Sequence, residues 1–179
     1  MKPFWEAADF IRGLRRETRF GELSRAPLRV MRVEITEHRV ACDWIARPAD
    51  VWDGDLQPCE AARNASQQAL RDAIRIRELV FSALPDVETA ILRSLRLIGG
   101  REPPELIITG VTTREAPPLF RVASMVMRAK LCGFHFAMED GVLRGLTGED
   151  GTSFDGTQET IFTRLPLRGK GGVLIYGSE

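Results

Sequence analysis

Apolar residues first recur with a helical period. Phe4, Ala7, Ala8, Ile11 and Leu14 fall on one face, and Arg12, Arg15, Arg16 and Arg19 fall elsewhere. The spacing predicts an amphipathic helix over 4–18, closed by Gly21. The period then changes to two. Leu28–Ile35 and Arg39–Arg47 read as strands joined through Thr36-Glu37-His38, a β-hairpin. In the second strand Val40, Cys42, Trp44 and Ala46 alternate with more polar neighbours, and in the first the alternation slips at Val30-Met31, as at a β-bulge.

Pro48–Pro58 is expected to be a loop. The longest helical signal runs from about Glu60 to Leu84, with a stripe of Ala62, Ala65, Ala69, Ala73, Ile76, Val80 and Ala83. Arg71, Asp72, Arg75 and Glu78 line its other side, and Pro85 ends it. Val87–Leu97 fits either helix or strand. The Gly99-Gly100 and Pro103-Pro104 pairs that follow favour a strand, turning into another at Glu105–Thr113. A second main helix is expected from Glu115-Ala116-Pro117 to Gly133, with Phe120, Ala123, Met127 and Leu131 on one face. Phe134–Met138 reads as a short strand. Beyond Asp140-Gly141 the chain becomes glycine-rich, and Thr160–Leu165 and Gly172–Tyr176 suggest a C-terminal hairpin.

These elements predict one α+β domain over 1–179, with an N-terminal helical segment (1–25), a core (26–140), and a glycine-rich loop with hairpin (141–179). From the strand at 39–47 onward the order is β-α-β-β-α-β, that of the ferredoxin-like split βαβ unit. One mainly antiparallel sheet packed against two main helices is the expected architecture. At 179 residues and 44% hydrophobic content the chain can build a core without disulfides or metals.

Charge narrows the function classes. Lys+Arg and Asp+Glu both number 25, against the basic excess of a dedicated nucleic-acid binder. The neutrality hides a mildly basic stretch over 1–39 and an acidic one over 139–160. Unlike patches of this kind can steer self-association. The only lysines are Lys2, Lys130 and Lys170, but the arginines are spread along the whole chain, which points to compositional bias rather than one anion site. The three cysteines, Cys42, Cys59 and Cys132, are irregularly spaced without a Cys-x-x-Cys, as expected of reduced thiols in the cytoplasm. No secretory signal or membrane-spanning run is visible.

Little chemistry is signalled. His38 falls in the predicted hairpin turn. His135 follows Cys132 closely, so thiol and imidazole are the only candidates for a nucleophilic pair, and a packed or capping role is the expected one. Acidic runs beginning at Asp53 and Asp150 both fail the calcium-loop frame, and no metal site is expected. Arg168-Gly169-Lys170-Gly171-Gly172 fails the phosphate-loop frame, so no cofactor is expected. Trp44, Arg47 and Trp52 form the most distinctive local cluster and are the candidate binding residues. The favoured function is a cytoplasmic, non-catalytic protein-interaction or assembly module, partnered by a second copy or another protein. The alternative is a small-ligand binder or enzyme with a pocket near Cys132, His135 and Trp44. Membrane attachment through the N-terminal helix is less favoured.

Overall fold

A computed structural model describes residues 12, 28–49, 51–99, 101–115 and 119–146. The helix expected over 4–18 lies outside them, as do the glycine-rich stretch past Leu146 and the expected C-terminal hairpin. The described residues form a mixed α+β structure: a five-stranded sheet, two helices and a small two-stranded sheet.

The strands β1 (Arg29–Ile35) and β2 (Arg39–Ile45) form the first hairpin, with the expected bulge between Val30 and Arg32. Helix α1 (Pro58–Ala83) carries the chain to β3 (Thr89–Ile98), which pairs with β2 in parallel. A hairpin then leads into β4 (Arg101–Thr113), antiparallel to β3. The short α2 (Met125–Leu131) precedes β5 (Phe134–His135), which pairs only Thr109 and Gly110 of β4. The strands therefore lie side by side in chain order. β2 and β3 are immediate neighbours, so no strand is inserted between them and the split βαβ arrangement is not the one built.

The strand favoured at Val87–Leu97 is present as β3. Three further expectations change. The loop at 48–58 contains a 3-10 turn at Val51–Asp55. β4 runs through Pro103-Pro104, beyond the stretch that β5 pairs, so on their outer side the missing N–H groups deprive no neighbouring strand. The second helix starts ten residues late, because Ser124 caps it by accepting the Met127 N–H at 3.3 Å. Its buried side is then Met125, Val126 and Ala129 rather than the predicted stripe, and Met127 and Leu131 are exposed.

Past β5 the predicted strand breaks at Phe136. The chain forms a separate hairpin of β6 (Ala137–Glu139) and β7 (Val142–Arg144). Asp140 and Gly141 both take positive φ, 51° and 83°, as a two-residue hairpin turn requires. The Arg63 Nε–H donates to Asp140 O at 2.7 Å and ties this turn to α1.

Both helices share one core with one sheet face. Val40, Cys42, Trp44, Ala90, Leu92 and Ile108 meet Leu70, Ala73, Ile76 and Val80 of α1, with Ala129, Cys132 and Phe134 closing the far end. Asp72, expected on the polar side of α1, is instead buried and held by Arg47 at the end of β2. Arg47 donates from Nε at 2.9 Å and from Nη2 at 2.5 Å, and Gln68 donates to the same carboxylate at 2.9 Å. Two-pronged contact of this kind offsets the cost of removing both charges from water.

The carboxyl end of α1 is closed from a distance. Arg114, just past β4, donates to the carbonyls of Phe81 (2.7 Å), Leu84 (2.6 Å) and Val87 (2.7 Å). Arg77 reaches the other way, to Thr113 O at 2.5 Å and Glu115 O at 3.0 Å. Both guanidinium groups lie over the Phe81 ring, at 5.1 and 5.3 Å from its centroid.

Asp72→Ala leaves the Arg47 charge buried without its carboxylate and is expected to cost about 3–5 kcal/mol in denaturant unfolding. Arg47→Met combined with Asp72→Leu should recover most of that loss, because no charge is then stranded.

Candidate functional site

The face of the sheet away from the helices is built from the alternate residues of the same strands. Register places Arg32 of β1, Asp43 of β2, Arg93 of β3, Thr109 of β4 and His135 of β5 in one line across all five strands. The adjoining line, Val33, Cys42, Leu92, Gly110 and Phe134, faces the helices. Polarity thus switches completely from one line to the next, as the period-two geometry of strands demands.

Gly110 makes the last position in the line available. A Cβ there would lie 2.7 Å from Gly133 O and 2.9 Å from Phe134 Cδ1. The bare backbone lets β5 close on β4 with Phe134 in the core and His135 exposed on the opposite face.

The line is electrostatically organised. The Arg93 Nε–H donates to Asp43 Oδ1 at 3.0 Å, and Arg32 Nη1 lies 3.8 Å from Asp43 Oδ2. Arg32 also pairs with Glu34 along its own strand. The Asp43 and Arg93 side chains are only 15% and 19% exposed, so this pair is half-withdrawn from water although no helix among the described residues covers it. Burial pushes the Asp43 carboxyl up from its ordinary range, against the opposing pull of Arg93 and then Arg32. Beside the line run Glu34, Ala41, Ile91 and Val111, with Val111 42% exposed.

The residues singled out from the sequence do not converge. Trp44 is fully buried near the carboxyl end of β2, facing α1, with Ser94 as its register partner. The indole Nε1 and the Ser94 hydroxyl are both buried without a hydrogen-bond partner in the fold. Arg47 is committed to Asp72, and Trp52 lies in the 3-10 turn. Cys132 is buried at the end of α2, on the helix side, whereas His135 is exposed across the sheet. Burial pushes the Cys132 thiol up, and Glu78 adds to this, while Arg77 and Arg128 oppose it. A thiol held protonated in this way is a poor nucleophile.

Cys42 is buried and its thiol pushed far up, while Cys59 is exposed on α1. His38 is exposed in the β1–β2 turn, and its carbonyl accepts the Glu88 and Thr89 N–H groups at 2.9 and 3.2 Å, seating the start of β3. Asp53 accepts from Asn64 Nδ2 at 2.9 Å, and Glu139 pairs with Arg144 at 2.6 Å. Among the described residues no three His, Cys, Asp or Glu side chains converge as a metal site would require, and no helix is long and apolar enough to cross a membrane.

No family model, curated protein or solved structure matches this chain.

The sequence reasoning missed Arg32, Asp43, Arg93 and Thr109. Each is an unremarkable outward position on its own strand. Only the pairing of β1 with β2, of β2 with β3 and of β3 with β4 sets them in one line.

The raised Asp43 carboxyl has a definite sign. The native state holds that proton more tightly than the unfolded chain, so the group favours folding at low pH. That contribution is lost as pH rises through the raised value. Unfolding curves collected between about pH 4 and pH 7 should show Asp43→Asn gaining stability relative to the parent as pH rises. A difference independent of pH would contradict this assignment.

Proposed function

We propose that this chain is a non-catalytic protein-interaction or assembly module that works through the face of its sheet away from the helices and through the β1 edge. The observation carrying the proposal is the one-sided cover. Both helices pack on one face, and the described residues place no helix over Arg32, Glu34, Asp43, Ile91, Arg93, Thr109, Val111 and His135. A face that mixes half-withdrawn ion pairs with an exposed valine suits a protein partner, because buried charge pairs fix register and apolar positions supply area.

The small-ligand alternative is less well supported, since Cys132 and Trp44 lie on the opposite side of the sheet from His135. Cytoplasmic residence is part of the same proposal. It is supported by three free cysteines, of which Cys42 and Cys132 are buried.

Val111→Arg places a charge on the open face without entering the core. Sedimentation velocity of the purified chain, with affinity capture from its native cell and mass-spectrometric identification, tests the proposal. The parent chain should self-associate or retain a specific protein, and Val111→Arg should weaken retention of a protein seated on the open face about tenfold or more while leaving the unfolding midpoint unchanged. A strict monomer at micromolar concentration that also retains no protein overturns the proposal.

A further inference from the structure

We infer that the β1 edge pairs with the β1 edge of a second copy, about a two-fold axis through Val33. This rests on the assembly reading above and names its partner and register.

Among the described residues β1 has β2 on one side and no strand on the other. Its hydrogen-bonding pattern is fixed by the turn. The Thr36 N–H donates to Arg39 O at 2.8 Å, which makes Thr36 and Arg39 a hydrogen-bonded pair. In an antiparallel ladder such pairs alternate, so Glu34 and Arg32 also turn their backbone groups toward Ala41 and Asp43. Val33 and Ile35 therefore turn theirs outward. The bulge between Val30 and Arg32 ends the regular ladder, leaving Arg32–Ile35 as the part of the edge able to accept a new strand.

Charge selects the register. With the axis through Val33, the two Val33 residues exchange backbone hydrogen bonds. Arg32 of each copy then lies opposite Glu34 of the other. A two-fold axis perpendicular to the sheet keeps each side chain on its own face, so both Arg–Glu contacts form on the open face. They lie in non-hydrogen-bonded positions, where opposed side chains are closest. The existing pair within β1 would become part of a four-membered network of alternating sign, continued by Asp43 and Arg93 on either side. Moving the axis one residue to Glu34 sets Glu34 against Glu34, and moving it to Arg32 sets Arg32 against Arg32. Like charges directly opposite each other are destabilising. Moving it to Ile35 sets Val33 against Glu37 and forms no ion pair. The interface is isologous and closes as a dimer.

Sedimentation equilibrium of the full chain and two single variants, Arg32→Glu and Glu34→Arg, tests the pairing. The parent should dimerise, and each variant alone should dimerise at least about tenfold more weakly, because it sets like charges opposite each other. An equimolar mixture of the two variants should restore dimers, since both cross-strand contacts then join opposite charges. Val33→Pro removes the outward N–H, which β2 does not use, and should also weaken the dimer while circular dichroism remains native. A dimer indifferent to all three substitutions, or variants that do not recombine on mixing, overturns the edge pairing but leaves the interaction module standing. A parent that is strictly monomeric also overturns the edge pairing. If that monomer retains no protein in the capture experiment, the broader proposal falls with it.

Discussion

β2 and β3 run parallel, and two strands in that relation cannot be joined by a tight turn. The chain must leave the sheet, cross one face and return, and α1 makes that crossing. Every other junction in the five-stranded sheet joins antiparallel neighbours. The single parallel junction therefore decides which face is covered, and it commits the long apolar stripe of α1 to Val40, Cys42, Trp44, Ala90 and Leu92. Phe134 and the short α2 extend the same side. The opposite face is left to Arg32, Asp43, Arg93, Thr109 and His135, whose side chains provide charge and hydrogen-bonding groups.

Arginine closes this architecture. Arg47 grips Asp72 with two donors, Arg77 spans the end of β4, and Arg114 satisfies three carbonyls around the end of α1. Arg96 joins Glu105 to Leu143 O and so ties the small β6–β7 sheet to β3 and β4. An ammonium group concentrates its donors at one point, whereas the planar fork reaches separated acceptors at once. The scattered arginines that suggest compositional bias when read in sequence are, at these positions, joints between elements.

β2 and α1 were legible because each has a clean period, whereas β3 was legible from the Gly99-Gly100 and Pro103-Pro104 pairs that follow it. Trp44 and Cys42 alternate with Asp43, and the alanine stripe of α1 repeats at helical spacing. What escaped depends on neighbours remote in sequence. Asp72 sits among polar residues on the helical wheel, and only the path of the chain after β2 brings Arg47 to it. The stripe through Met127 and Leu131 suggested a buried face, but the Ser124 cap sets where α2 begins, and the packing turns those two residues outward. Asp140-Gly141 carried an explicit hairpin signal, which its glycine-rich surroundings masked. The line of Asp43, Arg93 and Thr109 is a property of register alone, and no single strand contains it.

Arg114 has a consequence in time. The carbonyls that it satisfies lie 27 to 33 residues earlier in the chain. During synthesis α1 is complete in sequence while its closing residue has yet to be made, a delay on the order of seconds at ordinary elongation rates. Throughout that interval the Phe81 carbonyl in the last turn of the helix lacks its guanidinium donor, and the Phe81 ring lacks one of its two cations. The crossover becomes secure only when the second hairpin arrives, so the helix and the strands on both sides of it must mature together rather than in the order in which they are written.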